Sequence, residues 1–352
     1  MTKDHNTATS SSSSSSSTNS CCCGCFVSNA WFLPKDTPAL VQEHRAKGKF
    51  ITLKDGNKVF VRDERPLGKV EHRRETIVMV HGVPASSYLY HKLFEPLVQK
   101  YGFRAVAMDL PGLGLSDKAL DYEYSWPSLA SALDEILNHS DLDLFQNDDQ
   151  KLHLVIHDIG GPIAALWASE NDNSQRVASI TALDTLLNLE TFRKPFPMNL
   201  FPLPMIGYIA RQTMTPWVFR HFMYLRGVKD CNACTHDEAV AWVWLLNHNQ
   251  GLRSFHKIMT SFPITKEERE HLTQKICVSL GKDSKKTPAV AMQIVWADGE
   301  VAIPSSQRQY IKDNFNVSER DVHLVSGRHF FQMESANEIA DKIHSFLEAS
   351  SS

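Results

Sequence analysis

Six short, nearly continuous apolar runs constrain the fold of this chain more than any other feature. They are TIVMVHG (76–82), FRAVAMDLPG (103–112), KLHLVIHD (151–158), VASITALD (177–184), AVAMQIVWAD (289–298) and DVHLVSG (321–327). Each is strand-sized and ends on Gly, Pro or Asp, and segments with helical spacing follow most of them, at 91–100, 128–137, 162–170, 305–314 and 337–347. A strand without polar alternation is buried on both faces, so the pattern predicts an α/β fold with a mostly parallel sheet and helices on both faces. Ahead of it, FITLKDGNKVFVRDE (50–64) alternates around Asp55-Gly56 and predicts a β-hairpin.

The alternation breaks once. Between Asp184 and Ala289 the segments WVFRHFMYL, DEAVAWVWLL and FHKIM carry apolar residues at helical spacing, and Thr265 with Glu268 forms a capping box. That is too long for a loop, so we expect a helical cap inserted after the sixth strand, over the carboxyl ends of the sheet. The expected organisation is a Ser/Cys-rich tail at 1–36, a core from 37–188 and 277–352, and a cap at 189–276.

Several function classes drop out. A formal charge of −3 without a Lys/Arg stripe gives no basic field for nucleic acid. No apolar run approaches the roughly 20 residues of a membrane span, and no basic segment leads into an apolar leader. The tail, with its serine run (10–17), cannot bury enough surface to fold. Its Cys21, Cys22, Cys23 and Cys25 suit either an inert tail or S-acylation, which would give weak membrane association. Cys231, Cys234 and Cys277 form no disulfide framework, which points to a reducing, cytoplasmic setting. No metal or cofactor is expected.

Reactive groups collect at three strand ends, where parallel α/β sheets place their sites. LVIHDIGGPIAA (154–165) reads as a strand, a sharp turn and a helix, with Asp158 at the turn. HGVP (81–84) follows an earlier strand, and SGRHFFQ (326–332) sets His329 just past the last one. Asp109 and Asp117, in the DLPGLGLSD turn, are expected to fix that turn by local hydrogen bonds. His157 is expected to orient the elbow.

From about Lys49 to Leu347 the chain resembles the α/β-hydrolase superfamily, in its haloalkane dehalogenase and epoxide hydrolase branch. The resemblance rests on HGVPASSYLY (81–90), DLPGLGLSDK (109–118), HDIGG (157–161), WADGEVAIP (296–304) and GRHFFQMESANEIADKI (327–343), in that order. It implies that Asp158 is a nucleophile attacking saturated carbon to form an ester, that His329 activates the water hydrolysing it, and that the backbone N–H groups of Val83 and Ile159 hold the oxyanion. For the acid that orients His329 the family register points to Glu300, with Asp184 and then Asp298 as alternatives.

The sequence also departs from that family. Val83 and Ile159 stand where halide-donating Asn and Trp are usual, leaving Trp217, Trp242 or Trp244 as substitutes. Tyr208 and Tyr224 are the candidates for donating to an opened epoxide. The expected substrate is a small, neutral, apolar epoxide or organohalide, with water as co-substrate and the epoxide slightly favoured. Ester cleavage or cofactor-free oxygenation on the same frame, and a ligand-binding protein without turnover, are the alternatives.

Overall fold

The computed structural model describes residues 36–351 except 69–72, 74, 146–149, 197, 264 and 285–288, so the cysteine cluster of the tail lies outside the described residues. Eight strands form one sheet: β1 (Gly48–Thr52), β2 (Lys58–Glu64), β3 (Thr76–Val80), β4 (Arg104–Met108), β5 (Leu152–Asp158), β6 (Val177–Thr185), β7 (Ala291–Ala297) and β8 (Asn316–Val325). Their order is β1-β2-β4-β3-β5-β6-β7-β8. The hairpin strands β1 and β2 are antiparallel, and every pair from β4 to β8 is parallel.

The central strands explain why no alternation is visible in the sequence. Ile77 and Met79 of β3 enter the core on one face, while Val78 and Val80 enter the core on the other. With both faces covered, period-2 geometry puts an apolar residue at every position. All seven residues of β5 are buried. One face is covered by α2 (Trp126–Leu137), α3 (Gly160–Ser169), α8 (Lys266–Leu280) and α9 (Ser305–Asn314), and the other by α10 (Ala336–Ser351) and the π-helical turn Glu95–Lys100. Ahead of the sheet, α1 (Ala39–Ala46) packs beside β1.

Strand order locates the site. From β3 the chain passes to β4 on one side, then returns to β5 on the other. The loops leaving β3 and β5 therefore diverge and open a crevice at their carboxyl ends, the switch point at which such sheets bind ligands.

Between β6 and β7 run α4 (Pro204–Thr213), α5 (Pro216–Phe222), α6 (His236–Asn247), α7 (Gly251–Thr260) and α8. Thr215, Thr235 and Thr265 cap α5, α6 and α8, their hydroxyls accepting from the N–H groups of Val218, Glu238 and Glu268. The helices are tied to loops at the strand ends. Ser254 Oγ of α7 donates to Gly112 O (2.7 Å), Tyr88 OH donates to Glu238 Oε2 of α6 (2.9 Å), and Phe330 N donates to Gly227 O (2.7 Å). α8 crosses residue 276 without a break and packs on α3. Among the described residues no helix is long and apolar enough to cross a membrane.

Candidate active site

Asp158 ends β5 in a left-handed conformation, φ +51°. For a non-glycine residue this is strained by roughly 1–2 kcal/mol, and tight packing holds it. A Cβ on Gly160 would collide with the carbonyls of Val80 and His81, one on Gly161 with Thr185 Oγ1, and one on Gly82 with the Asp158 carboxyl. Glycine at these three positions lets the helix and the HGVP loop close on the turn. Thr185 Oγ1 also donates to Asp158 O (2.7 Å), locking the elbow to the end of β6.

The HGVP loop is fixed by its own histidine. His81 Nδ1 pairs with Gly82 O (2.7 Å), and its Nε2 accepts from Leu110 N (3.0 Å), so His81 carries its proton on Nδ1. In the next turn Asp109 accepts from Ser87 N and Leu115 N, both at 2.7 Å, and Asp117 from Lys58 N (2.8 Å). Asp109 thus fixes its own turn at Leu115, as expected, and also ties that turn to Ser87, whereas the Asp117 carboxyl reaches out of the turn to Lys58 of β2 instead of bonding locally. With the loop in place, Val83 N donates to Asp158 Oδ1 at 2.9 Å, and the Ile159 N–H also donates to the carboxylate.

His329 meets Asp158 from the far end of the chain. Its Nε2 stands 3.6 Å from Asp158 Oδ2, an ion-pair distance, and its Nδ1 is 3.0 Å from Glu300 Oε2. His157 pairs through Nε2 with His329 O (2.8 Å), ring against ring at 4.7 Å, so it holds the loop carrying His329. Burial pushes His157 down to about 3, which keeps it neutral.

Two buried carboxyl groups, Glu300 and Asp184, stand behind His329. One ligand atom from each of Asp184, Glu300 and His329 lies within 4.8 Å of the other two. Glu300 Oε1 accepts from Ala302 N and from Ile303 N (2.7 Å), and Oε2 faces His329. Asp184 accepts one backbone bond, from Ala297 N (2.9 Å), and its Oδ2 is buried without a conventional partner. Fewer donors means poorer stabilisation of the anion, so the two carboxyls separate. Burial and the Glu300 charge raise Asp184 well above its usual range. Burial also disfavours the Glu300 anion, but the His329 charge and the bonds it accepts outweigh that and bring it down to about 2. Asp184 is therefore a neutral acid that can donate to ionised Glu300. Both His329 nitrogens face carboxylates, so a proton fits this cluster better than a metal ion does.

The same balance sets Asp158 and His329. Burial would raise Asp158, yet neighbouring His329 holds it below its usual value. Burial would lower His329, and Glu300 with Asp158 raises it well above 6.5. These shifts favour an Asp158 anion, a His329 cation and a Glu300 anion in the resting site.

A small cavity of about 40 Å³ opens above Asp158 and His329, walled by Phe192, Phe222, Met259, Phe262 and Phe330 with Val83 and Ile159. The expected aromatic donors are elsewhere. Tyr208, on α4, is 57% exposed, and Trp217, on α5, is 67% exposed with its ring tilted against His221. Tyr224 packs against Arg220, Trp242 is buried against Phe219 and Phe330, and Trp244 stacks on His248. None of the five lines the cavity, because the helices turn those faces toward solvent or toward one another. Asp298 also stands apart, paired on the surface with Lys229 (2.8 Å). Lys194 and Arg226, which sequence reasoning did not single out, do line it.

Residues 75–214 match the family model described as "alpha/beta hydrolase fold". The solved structure of epoxide hydrolase CorEH superposes with a TM-score of 0.62 at 18% identity, covering 86% of this chain and 98% of that one. The fold, the order of its motifs and these matches define the class: the chain has the α/β-hydrolase fold. The chain is 34% identical over 199 residues to the "Mesoderm-specific transcript protein" of Mus musculus, a stretch covering 55% of each chain. It is 32% identical over 114 residues to a haloalkane dehalogenase of Psychrobacter cryohalolentis, covering 32% of this chain and 34% of that one. The chain thus spans about half the length of the first of these relatives and a third of the second.

Proposed function

We propose that this chain is a cofactor-independent hydrolase that works through an ester of Asp158, with a small apolar epoxide as substrate and an organohalide as the second reading. One observation carries it. Asp158 lines the cavity, and its Oδ1 already accepts from Val83 N at 2.9 Å while Oδ2 faces His329.

That division gives each oxygen a role. Oδ2 attacks the substrate carbon, a C–O bond forms, and the leaving atom takes the bonding electron pair. Oδ1 becomes the ester carbonyl oxygen without moving. His329, once neutral, takes a proton from water, which adds to the ester carbon. The resulting oxyanion is on Oδ1, which already accepts from the Val83 N–H, with the Ile159 N–H, also bonded to this carboxyl, as the second donor. Collapse releases the alcohol and restores Asp158. The helices between β6 and β7 serve as the cap that keeps bulk water from the ester. The organohalide reading draws on the similarity to a haloalkane dehalogenase.

The test is a His329→Gln variant, which should alkylate but not hydrolyse, incubated with epoxides and haloalkanes and analysed by intact mass. An adduct on Asp158 with the full mass of the substrate selects the epoxide, and one formed with halide release selects the organohalide. Absence of adduct with every compound that binds, or an adduct that persists in His329→Gln/Asp158→Asn, refutes the proposal and favours a binding protein without turnover.

A further inference from the structure

Opening a ring at carbon puts negative charge on its oxygen, and an apolar cavity must supply a partner for that charge. Among the residues lining this cavity, side-chain N–H or O–H groups belong only to Lys194, Arg226 and His329. His329 is committed to Asp158 and Glu300. Two cations remain, from different parts of the chain. Lys194 follows β6, and Arg226 lies in the turn Met223–Gly227 after α5.

Neither cation is paired with a carboxylate among the described residues. Lys194 Nζ donates to Met259 O (2.6 Å) and lies 4.6 Å from the centre of the Phe262 ring. That leaves donors unused on an ammonium seated against the apolar wall. Arg226 Nη1 reaches only Val301 O, at 3.4 Å. A guanidinium with five N–H donors has most of them to spare.

Resting on the aspartyl-ester reading above, we propose that Lys194 and Arg226 form the leaving-group site of this cavity, Lys194 giving its proton to the departing oxygen and Arg226 holding that oxygen by hydrogen bonds. The substrate class is then a neutral strained cyclic ether with apolar substituents. In the first step the Asp158 Oδ2–carbon bond forms and the carbon–oxygen ring bond breaks. The electron pair goes to oxygen, which takes the proton, leaving Lys194 a neutral amine. In the second step water cleaves the ester, and the proton released as Asp158 returns to its anion restores Lys194. The cycle consumes water alone. Burial lowers the Lys194 pKa, which favours the transfer. Arginine keeps its proton in proteins and can only hold.

The experiment follows Asp158 alkylation by rapid-quench intact mass in the His329→Gln background, so that hydrolysis plays no part. The probes are styrene oxide and phenethyl iodide, similar in body, of which the second releases a weakly basic anion that needs no proton. Lys194→Met should slow the styrene oxide adduct about 100-fold or more, the usual weight of a general acid, and the iodide adduct less than about fivefold. Lys194→Arg, which keeps the charge, should abolish the fall of the epoxide rate at alkaline pH. Arg226→Gln should slow the epoxide about tenfold or more. Equal slowing of both probes, or an unchanged alkaline limb in Lys194→Arg, would mean that Lys194 only shapes the cavity and would overturn the inference. Absence of adduct in His329→Gln itself would instead overturn the aspartyl-ester reading.

Discussion

Asp184→Asn should make the protein more stable at neutral pH. Asp184 is wholly buried beside Glu300 and keeps its proton in the folded state. In the unfolded chain it ionises near its ordinary value of 3.8. The folded state therefore binds more protons, and stability falls as pH rises above that value, by about 1.36 kcal/mol per pH unit for as long as the folded state holds the proton. Asparagine copies the neutral acid: its oxygen can accept from Ala297 N, as Asp184 Oδ1 does, and its amide can donate to Glu300. The difference in unfolding free energy between Asp184→Asn and the parent should thus widen as pH rises from 5 to 7, by at most about 1.4 kcal/mol per pH unit. Urea unfolding of both proteins at pH 5, 6 and 7, followed by tryptophan fluorescence, isolates this term because every other titrating group is shared. A difference that stays flat with pH would mean that Asp184 is ionised in the folded protein, and the assignment of the two carboxyls would be wrong.

The remaining predictions concern the elbow and the acid. Glu300→Gln should slow ester hydrolysis by about 10²–10⁴ while alkylation proceeds, so that the Asp158 adduct accumulates without any change at His329; if Asp184→Asn has the larger effect on hydrolysis, Asp184 is the orienting acid. Gly161→Ala should destabilise the fold by about 1–3 kcal/mol, read as a fall in Tm, because the new methyl group meets Thr185 Oγ1 in a closed contact.

Most of the sheet was legible because its strands are buried on both faces and hence apolar without a break. The elements missed lack that burial. The first half of β8, 316–320, is mostly exposed and polar. In α1 only Val41 and His44 are buried, so no apolar stripe forms. On α4, the apolar Met205, Tyr208 and Ile209 face outward, so their spacing marks no core face. At the site, Asp158 and His329 stood out because strand ends carry chemistry in such sheets. Glu300 was preferred to Asp184 only through the family resemblance, since both are carboxyls at strand ends. They follow neighbouring strands, and their roles differ through the number of backbone N–H groups each receives. Lys194 and Arg226 gave no signal at all: a lysine beside proline and an arginine in a turn resemble any surface residue until the helices fold over the strand ends.

Why His329 should be protonated at rest and yet act as a base has a physical answer in its flanking charges. Two anions, Asp158 and Glu300, hold its proton in the free protein. In the proposed cycle, alkylation would turn Asp158 into a neutral ester and remove the charge 3.6 Å from Nε2. At that distance one unit charge is worth about 1.2 kcal/mol in a water-like medium and about 4.6 kcal/mol at an effective dielectric of 20, equivalent to roughly one to three pH units. The first step thereby prepares its own second step, because the imidazole becomes a base only once there is an ester to hydrolyse. Asp158→Asn imitates the neutral carbonyl without substrate. The His329 pKa, followed by NMR of histidine-labelled protein, should fall by about one to three units in that variant. An unchanged value would show that Glu300 alone holds the proton, and the coupling between the two steps would fail.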